Sequence, residues 1–201
     1  MNAVTDGDHA NVTFTGAEHP GARFARGSYE QCRFESCVLT RATFASARFT
    51  DCTFVGCELS MLGVTGTSFT NVKFVTCRAM AVNWTTAHEP TFAASFDQCK
   101  LDDGVFSGMR LKGVSMVDCS LQSVDFSRCD LTSAQFSNSD LASANLSHAN
   151  LKGADFSEAR HFAFDPRTNK AGKTLINLAT AAQTLAALGL VVPDLDQLMG
   201  R

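Results

Sequence analysis

A large apolar residue recurs every five positions through most of this chain, and neither a helix nor a flat strand can keep such residues on one side. From Phe14 the run is Phe24, Tyr29, Phe34, Leu39, Phe44, Phe49, Phe54, Leu59, Val64, Phe69, Phe74 and Trp84, in steps of five or ten. A second run goes from Phe96 through Leu101, Phe106, Leu111, Met116, Leu121, Phe126, Leu131, Phe136, Leu141, Leu146 and Leu151 to Phe156. Only His19 and Ala79 are weak centres. Because a helix repeats every 3.6 residues and a strand every two, the chain must turn a corner after each pentapeptide. Four sides then close a coil of about 20 residues, and stacked coils align the centres in columns about 4.8 Å apart. A fixed internal period outranks the propensity of any single residue.

The position two residues before each centre is small. All eight cysteines, Cys32, Cys37, Cys52, Cys57, Cys77, Cys99, Cys119 and Cys129, fall on it, among Ala, Val, Ser and Gly. Large centres fill the narrow interior, so only a small residue fits beside them, and Cys acts there as a small hydrophobe. Cys37, Cys57, Cys77, Cys99 and Cys119 should form one buried column. A metal needs thiolates converging at about 2.3 Å, which a column cannot supply, and no CxxC occurs. Neighbouring Cα atoms near 4.8 Å permit a disulfide, but parallel Cβ vectors and a reducing compartment oppose it. Leu62 and Met109 are oversized for the small position, so bulges are expected at both.

The frame breaks once. Trp84 to Phe96 spans 12 residues, two more than the period allows. If the surplus sits at a corner near His88, Glu89 and Pro90, one side is skipped and Phe96 rejoins the column of Phe14, Phe34, Phe54 and Phe74. The chain then divides into an N-terminal cap or disordered segment (1–11), one solenoid (12–160) with a small loop at about 85–95, and a linker with a C-terminal helix (161–201). Thr180 and Gln183 have the spacing of a capping box, and Gly189 suits the position after a helix ending near Leu188. Leu185, Leu188, Leu190, Val191 and Val192 leave an apolar surface that so short a helix cannot bury. It either caps the last coil or pairs with a second copy. The expected outcome is a two-fold homodimer through this C-terminal segment.

The bulk numbers narrow the functions. With 17 basic and 20 acidic residues the net charge is −3, which argues against nucleic acid as a direct ligand. No apolar run approaches the roughly 20 residues of a membrane span. The start, MNAVTDGDHANV, lacks the pattern of a secretory signal, so a cytoplasmic location is expected. Five scattered histidines and no P-loop, GxGxxG, HExxH or GxSxG motif give no nucleophile, metal or cofactor site. The expectation is a binding protein that is not an enzyme and needs no cofactor. The acids gather late: Asp118, Asp125, Asp130, Asp140, Asp155 and Glu158, against Arg128 and Lys152. These form a candidate partner-binding surface, with a solvated, solubilising face as the plain alternative. His88, Glu89 and Pro90 at the frame break are a candidate loop contact.

Runs such as ADFSEA (154–159), SANLSHANLKGADF (143–156) and CRFESCVL (32–39) resemble the pentapeptide-repeat family, whose motif is A(D/N)LXX. The resemblance implies an all-β solenoid, a right-handed quadrilateral β-helix, here with a short C-terminal α-helix. LINLATAAQTLAALGLVV resembles the dimerisation segment of the Qnr and MfpA subgroup, and AVNWTTAHEP resembles AlbG and its relatives. Members of that subgroup bind type II topoisomerases. The resemblance therefore implies a partner in DNA gyrase, topoisomerase IV or both, protection from a topoisomerase-poisoning antibiotic, and an acidic rod acting as a DNA mimic. The rival expectation is a non-catalytic scaffold that holds an unrelated protein.

Overall fold

The computed structural model describes residues 7–190. Each pentapeptide forms one side of a coil, and all pairing between coils is parallel at intervals of about 20 residues. The sides are numbered here by their centres: first (Phe14), second (His19), third (Phe24) and fourth (Tyr29). On the first side, β2 (Thr13–Thr15), β4 (Arg33–Glu35), β6 (Thr53–Val55), β8 (Val72–Val75), β9 (Ala94–Asp97) and β10 (Met116–Val117) form one parallel sheet. On the fourth side, β1 (Asp8–Ala10), β3 (Ser28–Glu30), β5 (Arg48–Thr50) and β7 (Ser68–Thr70) form another. The second and third sides are joined by single bridges such as Val38↔Glu58 and Arg23↔Thr43. The result is a parallel β-solenoid of about 8 turns with one C-terminal helix.

The centres stack inside as the period requires. Rings of Phe34 and Phe54 lie 4.4 Å apart, those of Tyr29 and Phe49 4.7 Å, and those of Phe136 and Phe156 4.6 Å, all near-parallel. Vertical spacing set by strand pairing brings flat rings into contact, while neighbouring columns meet edge to face, as Phe34 and Phe49 do. Leu62 and Met109 produce no bulge. Both are buried and their sides keep their bridges, Thr43↔Gly63 and Arg110↔Asp130. Their centres, Val64 and Leu111, are smaller than the Phe found elsewhere and leave room.

Register survives the frame break, with Phe74 paired to Phe96. No side is skipped, contrary to the sequence expectation. Two 3-10 turns, Trp84–Thr86 and Glu89–Thr91, replace a straight fourth side. Their shorter rise absorbs two surplus residues. Ala93 then restores the ladder, donating its N–H to Phe69 O at 2.7 Å and accepting from Val72 N at 3.0 Å.

The coil also runs past both limits read from the repeat. β1 lies inside the segment 1–11, with His9 stacked on Tyr29 at 5.2 Å. Beyond 160, Asn150 bridges Lys170, and β11 (Asp155–Phe156) pairs with β12 (Leu175–Ile176). Helix α1 spans Leu178–Ala187. Its cap is Asn177, whose side chain accepts from Thr180 N at 2.9 Å. Thr180 was the expected cap, but it is buried and turns its hydroxyl inward to Phe162 O. Gly189 (φ 75) ends the helix, with Leu190 N bonded to Leu185 O and Gly189 N to Ala186 O, a Schellman closure.

Candidate functional site

Chemistry inside the coil is structural. All eight thiols are free and buried. On the first side each thiol of the expected column donates to the centre carbonyl 23 or 25 residues back: Cys37 to Phe14, Cys57 to Phe34, Cys77 to Phe54, Cys99 to Phe74 and Cys119 to Phe96. Cys77 Sγ also accepts from Cys57 N at 3.4 Å. At most corners of the second side the carbonyl of the centre accepts from the N–H three residues on, as in Ala42 N to Leu39 O. At Phe54 those two groups stand apart, and the thiol of the next coil bridges them. Ser139 does the same three coils later, accepting from Cys119 N and donating to Met116 O, both at 2.9 Å. So the small position is more than filler: in this column it supplies the donor that each open corner lacks. Burial pushes the thiols of Cys52 and Cys129 up to about 12, which keeps them protonated and unreactive at neutral pH.

The outer surface carries the candidate contacts, and the coil distributes the six late acids over all four sides. Asp125 lies on the third side, Asp130 on the fourth and Asp140 on the second. Each is half-buried one residue before its centre and accepts from the amide two residues on: Ser127, Thr132 and Ala142. This is the local turn bond that favours Asp there. Asp130 also faces Lys112, and Asp140 faces His161 and Gln122. Partial burial pushes both carboxyls up, but hydrogen bonds from Thr132 and Lys112, and from His161, Ala142 and Gln122, outweigh it and hold them below the usual range.

Asp118, Asp155 and Glu158 do come together, on the first side. Asp118 and Glu158 occupy one vertical line with Asn138 between them, and both are exposed. Exposed Asp97 joins the strip two coils below Asn138's, a residue that reading acids by position along the chain had missed. Its signal was its place in the 20-residue frame. From Ala94 to Glu158 this side has four carboxylates and no Lys or Arg. Among the described residues none of the four is in a salt bridge.

At the frame break, Glu89 is engaged within the chain. Its carboxylate takes both guanidinium nitrogens of Arg110, at 2.9 and 3.2 Å, and also Arg110 N at 3.1 Å. Hydrogen bonding to Arg110 holds the Glu89 carboxyl below its usual value. His88 bonds Thr91 within the turn, and Pro90 is exposed beside it. At the other end, α1 is fastened to the last coil by Asn177 Nδ2 to Ala159 O and by buried Thr180 and Ala182. Leu185 is half-buried, Leu188 and Leu190 are exposed, and Val191 and Val192 lie outside the described residues. Leu175 and Leu178, which the sequence reading did not single out, are exposed at this end too, so among the described residues four of the five exposed large apolar side chains lie between 175 and 190. No helix among the described residues is long and apolar enough to cross a membrane.

The family model for the pentapeptide repeat region matches residues 27–89 and 92–159. The chain belongs to the pentapeptide-repeat family. The two residues left unmatched between the segments, Pro90 and Thr91, are in the second 3-10 turn. Among solved pentapeptide-repeat structures, a trypsin-treated variant of QnrB1, a plasmid-mediated fluoroquinolone resistance protein, is 18% identical with a TM-score of 0.53, covering 94% of this chain and 98% of that one. A second trypsin-treated QnrB1 variant is also 18% identical, with a TM-score of 0.52 over 95% and 99%. At this identity the likeness establishes a shared fold. No curated relative matches the chain. This pentapeptide-repeat protein keeps an open cleft of about 310 Å³ beside its break, lined by Val72, Phe92, Leu111 and Val114 with Arg110 and Lys112. Both of those cations are held by carboxylates of the chain, Glu89 and Asp130.

Proposed function

We propose that this pentapeptide-repeat protein binds a type II topoisomerase, DNA gyrase above all, and protects it from a poison that traps its cleaved-DNA complex. The observation that carries the reading is the likeness in fold, over 94% of this chain, to a trypsin-treated variant of QnrB1, a fluoroquinolone resistance protein. Charge supports a narrower contact than the six acids suggested. The strip of Asp97, Asp118, Asp155 and Glu158 is the part of the surface that mimics a phosphate row, because its carboxylates are free of cations. Asp125, Asp130 and Asp140 serve the turns, as Asp155 also does through Ser157, but Asp155 lies on the side without Lys or Arg. The protein acts in the cytoplasm, where its partner works, and without catalysis. It works as a two-fold homodimer through Leu185, Leu188 and Leu190, with Leu175 and Leu178 beside them. Burying apolar surface of this kind favours association at about 25 cal/mol per Å².

The test is gyrase supercoiling with a panel of poisons: a quinolone, albicidin and a cystobactamid-like compound. Rescue by the purified protein is expected with at least one. Asp118→Lys with Glu158→Lys should weaken gyrase binding by about tenfold or more, at roughly 1 kcal/mol per charge reversed against a basic surface. Asp130→Asn should leave binding unchanged. No rescue and no binding to gyrase or topoisomerase IV would leave the scaffold reading in its place. For the dimer, Leu188→Glu with Leu190→Glu should convert a dimer to a monomer in sedimentation.

A further inference from the structure

The acidic strip has a counterpart of opposite sign at the other end of the rod. Arg23, Arg26, Arg41 and Arg48 are all exposed, and none forms a salt bridge or side-chain hydrogen bond among the described residues. Of the others, Arg33 pairs with Glu35, Arg78 with Glu58, Arg110 with Glu89 and Arg167 with Asp165, while Arg128 and Arg160, on later coils, are exposed and in no salt bridge among the described residues. The coil gathers the four of the first coils around the third side: Arg23 and Arg26 lie on it, Arg41 at the corner before it, and Arg48 just past the corner after it, at the start of β5. Arg23 bridges Thr43, two residues after Arg41, along one margin of the third side. Arg48 N bonds Gly27 O, next to Arg26, along the other margin. Between these two pairs lie Ala25, Thr43, Ala45 and Ser46, small side chains that keep the surface flat. On this side no Asp or Glu occurs until Asp125.

We propose that the third side of the first coils is a docking surface for an acidic helix of a partner protein. One side is roughly 10 Å across, three extended residues at about 3.3 Å each. An α-helix with its side chains is about 10–12 Å wide, so one helix lies between the arginine margins and reaches both. Each guanidinium offers a planar fork that matches a carboxylate. A nucleic-acid duplex is the poorer match. It is broader than one side and would meet Glu18, Glu30 and Asp51 on the flanking sides, in a chain of net charge −3. The inference does not depend on the partner being gyrase.

A fluorescent helical peptide with Glu at every fourth position tests it by anisotropy in low salt. The native protein should bind this peptide, and a Gln version should not bind. Changing all four residues, Arg23→Ala, Arg26→Ala, Arg41→Ala and Arg48→Ala, should weaken binding about 30-fold, as for four exposed ion pairs. Arg33→Ala with Arg78→Ala, at sites already paired, should change it less than about twofold. Raising salt from about 50 to about 500 mM should abolish binding. Substituting Lys for Glu in the peptide tests the same surface without touching the protein. Equal binding of the Gln or Lys peptide, an undiminished affinity of the quadruple variant, or tighter binding of a short DNA duplex would overturn the proposal.

Discussion

The first side of the coil changes character along its length. Up to Met116 it is a strand ladder with open corners, each spanned by a donor from the next coil: five cysteines and then Ser139. From Phe136 on the corner closes by itself, Ser139 N to Phe136 O at 3.1 Å and Ala159 N to Phe156 O at 3.1 Å. Above Phe136 the small position is Ala159, which carries no donor. One period of five thus builds two corner geometries on this side, and here a donor stands above each open corner. The same change separates an aromatic, cysteine-rich half from one rich in Leu, Asp and Asn, where carboxylate and amide side chains bind the turns from outside.

The largest expected effect compares the two cores. Phe54 stacks on Phe34 and Phe74, so Phe54→Ala should cost about 3–5 kcal/mol in urea unfolding. Leu141→Ala, in the later half, should fall in the lower part of the range for buried leucines, about 2–5 kcal/mol. A greater loss at Leu141 would show that ring stacking does not set the halves apart.

The corner rule is sharper. Cys77→Ala should cost about 1–3 kcal/mol by leaving Phe54 O and Cys57 N without their bridge. Cys77→Ser should stay within about 1 kcal/mol, since Ser139 already plays that part. Ala159→Ser should change stability by less than about 1 kcal/mol, since Thr67 already donates to Phe44 O above a closed corner. If Ala at 77 costs no more than Ser does, the corner does not choose the residue.

The frame break is latched by Glu89 and Arg110, and its stability should depend on pH. The Glu89 carboxyl is depressed in the fold, so its contribution is complete above its unfolded value and is lost as pH falls through the folded one. Glu89→Gln should lower the melting temperature at pH 7 and erase the difference from the native chain in acid. A constant difference across that range would break the assignment. The smallest signal is a null one. The thiols should stay silent to an aromatic disulfide reagent until the coil unfolds, with equal protection before and after the frame break.

Much of this was legible from residues alone. The period of five, the columns, the single break at His88–Pro90 and the return of Phe96 to the Phe14 column all follow from side-chain size repeated along the chain. Local order of that kind is set within one pentapeptide. The sequence determined the coil, therefore, and the place where it falters. What it left open depends on residues 20 or more apart. Whether a corner closes or needs a thiol, whether Glu89 faces a partner or Arg110, and which acids share a side are decided only when one coil rests on the next. Asp118 and Glu158 are 40 positions apart in the chain yet share one line, while Asp125 and Asp130 are five apart and face different directions. Stacking does that sorting, because only the stacked backbone converts distance along the chain into position on a surface.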